Sequence, residues 1–157
     1  MKHDFIISGI PLHALQHVLN LDKKDQDAQG ITKIIVDKKP GYPCRVSLED
    51  ANIGEEILAF NYEHHTANSP YRSSGPVFVR LNANEARPKK NEIPKILEIR
   101  YLSLRAYDKS GMMIDAATTF GKDVKETIQQ LFDNQHVQYI HVHNAKPGCY
   151  NCRIDRF

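Results

Sequence analysis

The feature that most limits what this chain can fold into is a series of short apolar runs of strand length, each closed by a segment rich in proline, glycine or polar residues. "DFIISGI", "ITKIIVD", "EILAFNYEHH", "PVFVR", "KILEIRYLSLRAY", "MMIDAATTF" and "VQYIHVH" all have this form. In "EILAFNYEHH", Leu58, Phe60 and Tyr62 alternate with Ala59, Asn61 and Glu63, the period-two pattern of a strand with one face on a core. "KILEIRYLSLRAY" and "MMIDAATTF" flank the turn-forming "DKSG" and predict a hairpin. Pro76 donates no ladder hydrogen bond, which limits it to the start of the strand in "PVFVR". "CRIDRF" reads as a short final strand.

Helical patterns fall near the two ends. Pro11 suits the first turn of a helix that places Leu12, Leu15, Val18 and Leu19 on one face. "DVKETIQQLFDN" predicts the clearest helix: Asp123 and Glu126 have capping-box spacing, and Val124, Ile128, Leu131 and Phe132 form one apolar stripe. "LDKKDQDAQG" reads as a short helix stopped by Gly30 or as a loop. "KKPGYPCRVSLEDANIGEE" reads as a long connection with one helical turn at Ser47 to Ala51. The expected fold is α+β, one domain over residues 1–157, with a mixed or largely antiparallel sheet and two main helices near the two ends.

A chain of 157 residues, 41% of them hydrophobic, can bury a core without disulfides. The net charge is only +2, and its one basic cluster, Arg87-Pro88-Lys89-Lys90, is short and broken by proline, so nucleic acid is not an expected partner. Asp4, Gly9, Pro11 and His13 interrupt the opening apolar run, so neither a signal peptide nor a membrane span is predicted. Three cysteines are too few for a secreted disulfide framework and predict free thiols in the cytoplasm.

The chemistry-bearing residues gather in four segments. In "HVHNAKPGCYNC", His141 and His143 are two apart on a strand and share a face with Tyr139, while Ile140 and Val142 point to the core. That pair can ligate one metal ion, form a non-metal functional face, or be two hydrogen-bonded surface imidazoles. Cys149 and Cys152 make a lone Cys-x-x-Cys with too little chain after it for a thioredoxin-like helix. A mixed metal site of His141, His143, Cys149 and Cys44 has suitable ligand chemistry, with zinc the natural ion. Cys44 adjoins Arg45 and reads as either a candidate nucleophile or a core residue. In "NYEHH", consecutive histidines on a regular strand cannot share a face, and continuing the Leu58 and Phe60 face makes His64 the more buried one. "YRSSGP" offers Tyr71, Arg72, Ser73, Ser74 and Gly75 as an anion-holding turn or a plain loop.

These same segments, "DKKPGYPCRVSLEDANIGEEILAFNYEH", "SPYRSSGPVFVR", "LSLRAYDKSGMMIDA" and "YIHVHNAKPGCY", resemble the bacterial family catalogued as domain of unknown function 1203. The resemblance covers almost the whole chain. Its motifs fall on Pro43, Cys44 and Arg45, on Asn61, Tyr62, Glu63 and His64, on Tyr71, Arg72 and Gly75, and on His141, His143, Asn144, Gly148 and Cys149. It implies a small, single-domain cytoplasmic protein and carries over no catalytic residue or cofactor. The family's final cysteine motif matches Cys149, which leaves Cys152 as a local addition.

The leading expectation is therefore a small-ligand site, enzymatic or purely binding, at one rim of the sheet. Arg45, Tyr71, Arg72, Ser73, Ser74, Gly75 and Asn144 would bind a small anionic ligand, with Cys44, His64, His141 and His143 as catalytic candidates. The alternatives are a zinc-binding protein using His141, His143 and thiols, and a protein-interaction module whose histidines are incidental.

Overall fold

The structure, a computed structural model, describes residues 2–157. The apolar runs become eight strands in two antiparallel sheets, with four short helices. The larger sheet has the order β1 (Phe5–Ser8), β8 (Tyr150–Arg156), β7 (Tyr139–Asn144), β5 (Tyr101–Tyr107), β6 (Met113–Phe120). The smaller has the order β2 (Thr32–Ile35), β3 (Glu56–His65), β4 (Ser73–Arg80). This is the α+β fold that the sequence patterns predict, with every strand pairing antiparallel.

One face of the larger sheet is apolar because each strand supplies it with every second residue. Leu102, Leu104 and Ala106 of β5, Ile140 and Val142 of β7, and Cys152 and Ile154 of β8 pack there against helix α4 (Val124–Phe132). The α4 stripe of Val124, Ile128, Leu131 and Phe132 is buried as the helical spacing predicts. Each such side chain contributes about 1.5–3 kcal/mol on burial. Asp123 makes no side-chain cap. Instead a 3-10 turn, Gly121–Asp123, leads into the helix, and Gly121 is required because a Cβ there would strike the Leu97 carbonyl and Glu98 backbone.

Several boundaries differ from the sequence expectation for identifiable reasons. The first helical pattern splits into a 3-10 turn (Leu12–Ala14) and α1 (Gln16–Leu19), and "LDKKDQDAQG" takes its helical alternative as α2 (Lys23–Ala28), capped by the Asp22 side chain and followed by Gly30 at φ 71°. Lys95–Glu98 forms a short helix, α3, behind Pro94, so β5 begins only at Tyr101. No helical turn forms at Ser47 to Ala51, where Leu48 adopts a left-handed φ of 54° and Pro43 bridges to Asp50. Pro76 lies inside β4 rather than at its start. It is tolerated because β4 is an edge strand with an unpaired side. The final strand, β8, starts earlier than "CRIDRF" and takes in Tyr150 and Asn151. The hairpin around "DKSG" forms as expected, with Asp108 accepting from the Ser110 and Met112 amides and Gly111 at φ 77°. No helix among the described residues is long and apolar enough to cross a membrane.

Candidate functional site: a histidine cluster between the sheets

The second face of the larger sheet is where the chemistry gathers. His141 and His143 share it on β7, and the register sets Arg105 of β5 opposite His141 and Ser103 opposite His143. Against this face lies the end of β3. A bulge between Tyr62 and His65 breaks the strand's alternation, so both histidines of "HH" reach His141, with ring centroids at 6.1 Å for His64 and 5.2 Å for His65. The expectation that His64 is the more buried of the two is therefore corrected: His65 is buried and His64 half-buried. Two further ladder irregularities fall at the same place, at Val142/His143 and at Ala106/Tyr107. Bulges of this kind re-aim side chains beside functional sites.

His64, His141 and His143 each present one ring nitrogen, and these nitrogens lie within 4.8 Å of one another. The Tyr150 ring organises the group. It stacks parallel on His64 at 5.0 Å and meets His141 and His143 edge-on at 5.0 and 5.8 Å. Burial, the largest cause in each case, holds His64 down at about 4, His141 at about 2 and His143 at about 3, with the charges of neighbouring imidazoles adding to the effect. All three are therefore neutral near pH 7, the form that ligates metal.

The tautomer of His143 is fixed from outside. His143 Nδ1 donates to the Gly148 carbonyl at 2.9 Å, because a carbonyl can only accept, and this leaves the Nε2 lone pair facing inward. His64 Nε2 bonds the Ser73 hydroxyl at 3.3 Å. The nitrogens left buried with no hydrogen-bond partner are His64 Nδ1, His141 Nδ1 and His143 Nε2. His65 is different: Nδ1 bonds the Tyr71 carbonyl at 2.8 Å and Nε2 the Tyr139 hydroxyl at 2.6 Å, with Tyr107 stacked at 4.1 Å.

The thiols stand apart from the histidines. Cys44 lies in the hydrophobic cluster under β3 and β4, where its sulfur accepts from the Arg80 amide at 3.4 Å. Cys152 is fully buried on the α4 side, which pushes its thiol well up. Cys149, half-buried, receives Arg45 Nη2 at 3.2 Å and Asn144 Nδ2 at 3.4 Å, and Asn151 orients that amide by donating to Asn144 Oδ1 at 2.9 Å. Arg45 is buried and also donates to the Tyr150 and Pro43 carbonyls, which lowers its pKa by desolvation and pins the long loop onto β8. These groups open into a cavity of about 660 Å³ between Phe78 and Tyr101. The mixed ligand set of His141, His143, Cys149 and Cys44 thus separates: neither thiol belongs to the histidine group, and His64 takes the third position.

In the "YRSSGP" segment Ser73, Ser74 and Gly75 lie in β4 rather than in a turn, and Arg72 pairs with Glu63 at 2.8 Å in an exposed ion pair. The segment's contributions to the site are the Ser73 hydroxyl and the Tyr71 carbonyl. Residues missed by sequence reasoning are Arg105, Tyr107 and Tyr150, brought in by strand pairing within the larger sheet.

A two-sheet α+β protein with a neutral, inward-facing three-histidine cluster is the class that this fold and site define. The chain belongs to the family described as "Protein of unknown function (DUF1203)", whose model matches residues 41–156, a span that contains every residue of the cluster. No curated protein and no solved structure matches it.

Proposed function

We propose that this is a metal-binding protein in which His64, His141 and His143 ligate one divalent ion, zinc first, with an open fourth position for a ligand or water. The observation that carries the reading is that three histidines set one ring nitrogen apiece within 4.8 Å of the others, and each has a buried ring nitrogen with no hydrogen-bond partner. A buried polar atom without a partner costs about 1–3 kcal/mol, so three together demand a reason. A zinc ion with nitrogen bonds of about 2.0–2.1 Å needs its ligands roughly 3.3 Å apart, within reach of small ring rotations from the spacing present. Three histidines plus an open position is the ligand pattern of catalytic rather than structural zinc, where the ion makes bound water acidic and polarises a carbonyl or phosphoryl oxygen. The outer hydrogen bonds from Gly148 and Ser73 have the orienting role that such ligands require. The three free thiols support a reducing, cytoplasmic setting, and the family likeness a bacterial one.

The test is metal stoichiometry by elemental mass spectrometry and equilibrium dialysis on untagged protein. One zinc per chain is expected. It is lost in His64→Ala, His141→Ala and His143→Ala and kept in Cys149→Ser. Retention in all three histidine variants would refute the assignment.

A second reading is favoured by the 660 Å³ cavity, in which Cys149, Arg45 and Asn144 line a small-molecule site. It predicts that iodoacetamide labels Cys149 well ahead of buried Cys44 and Cys152. Equal labelling would remove it.

A further inference from the structure

The charge balance of the histidine site specifies what binds there. Three neutral imidazoles and a divalent ion carry two positive charges, and the group of metal-capable side chains includes no carboxylate. Arg105 adds a third. It sits directly across from His141 in the β5–β7 ladder, where paired side chains share a face with Cβ atoms about 4.5–5.5 Å apart. Its charge is felt at both His64 and His143.

The other guanidiniums near this face are held by partners: Arg153 by Asp155 at 2.8 Å, Arg72 by Glu63 at 2.8 Å, and buried Arg45 by the Tyr150 and Pro43 carbonyls and the Cys149 sulfur. Arg105 has no such partner. Among the described residues no acidic group lies within ion-pairing distance of it, and its half-buried side chain makes no hydrogen bond. Asp115, the nearest acidic residue by register, falls opposite Ala106 on the other face and accepts from the Ala116 amide. An unpaired guanidinium beside a cationic centre is costly unless an anion arrives.

The approach is open on Arg105's side. Its neighbour across β6 is Ala116, and Ser103 is flanked by Thr118; Ala116 and Thr118 are exposed. Small residues at these positions leave room beside the imidazoles that larger ones would fill.

We infer that this open side is an oxyanion subsite, in which the Arg105 fork holds a carboxylate or phosphate group of a small ligand whose oxygen completes the coordination of the ion bound by His64, His141 and His143. The inference rests on the metal reading above and adds to it the substrate class. Guanidinium geometry matches both carboxylate and phosphate, and a neutral ligand would leave Arg105 without a function.

The experiment uses the full chain loaded with Co²⁺, a visible-light reporter of the same ligand set. Equilibrium dialysis first measures Co²⁺ binding. Oxalate and inorganic phosphate are then titrated while the visible absorption is followed. A saturable spectral change is expected with at least one probe, and the tighter of the two assigns carboxylate or phosphate. Arg105→Gln weakens that probe tenfold or more, with Co²⁺ binding unchanged or tighter, and Arg105→Lys restores part of the affinity. Near-ultraviolet circular dichroism checks that the variants are folded; the Lys variant, which keeps charge and length, carries the comparison if the Gln variant is not. Normal Co²⁺ uptake with no response to either anion, or with equal anion affinity in wild type and variant, overturns the subsite alone. No Co²⁺ uptake overturns the metal reading, and the subsite with it.

Discussion

Zinc should stabilise the protein by an amount that depends on His64 and not on His65. The two residues are neighbours on β3 and both contact His141, yet only His64 has an unpartnered nitrogen, while both nitrogens of His65 are taken by Tyr71 and Tyr139. A ligand that binds only the folded state adds RT ln(1 + [L]/Kd), about 2.7 kcal/mol with free zinc buffered at 100 times Kd. For a chain of this size 1 kcal/mol moves Tm by about 2–4 °C, so the expected rise is about 5–10 °C. His64→Ala removes one of three ligands and should reduce the rise to within about 2 °C at the same free zinc. His65→Ala lowers the starting Tm by breaking two hydrogen bonds but keeps the zinc-dependent rise. The assay is thermal unfolding by circular dichroism in a chelator-buffered zinc series. A rise that persists in His64→Ala, or disappears equally in both variants, would refute the assignment of ligands.

Three further outcomes follow from the same geometry. The metal-free protein should lose stability as pH falls: burial holds His64, His141 and His143 at about 4, 2 and 3, the unfolded chain protonates its histidines near 6.5, and between those values protons favour unfolding. Stability is thus fully present above pH 7 and decreases below about 6.5, by up to about 1.4 kcal/mol per pH unit for each of the buried His141 and His143 and by less for the solvent-screened His64; a urea midpoint that is flat from pH 7 to 4.5 contradicts the burial argument. His141→Leu should abolish metal binding while raising metal-free stability by about 1 kcal/mol, since it removes a buried nitrogen that has no partner, and a midpoint well below wild type would show that the imidazole has a structural role. Arg45→Met should cost about 3–5 kcal/mol, because it strips the Tyr150 and Pro43 carbonyls of a buried charged donor; a loss under about 1 kcal/mol in chemical unfolding would mean that the loop is held by other contacts.

The sequence made part of this site legible. Period-two alternation placed His141 and His143 on one face and Ile140 and Val142 on the other, and that holds because a strand permits nothing else. The α4 stripe and the "DKSG" hairpin were readable for the same local reason. The alternation of β3 also pointed to His64. That His65 reaches His141 as well was not legible, because it enters through a bulge, and a bulge depends on how β3 meets β4, not on β3 alone. Arg105 is invisible for a similar reason: nothing in "LSLRAY" reveals that β5 pairs with β7. The sequence set Arg45 beside Cys44, whereas the structure turns its guanidinium to Cys149 and Asn144 at a separate cavity. Residue chemistry named the candidates. Long-range pairing decided which of them meet.

The strongest argument that the cluster exists for binding comes from within the fold itself. β7 is an interior strand, and interior strands buried on both faces ordinarily carry apolar residues on both. Here one face carries Ile140 and Val142 and the other carries imidazoles, at the expense of their solvation. A purely structural histidine in such a place has its nitrogens satisfied, and His65 shows that this fold can do it, with a carbonyl and a phenol supplied for the purpose. The three histidines beside it are treated differently. Gly148 orients His143 and Ser73 contacts His64, while each of the three keeps one buried nitrogen without a partner and sets one ring nitrogen within 4.8 Å of the others. Core packing gives no reason to satisfy one imidazole fully and leave three others each lacking a partner at the same point, whereas a shared ion accounts for both at once.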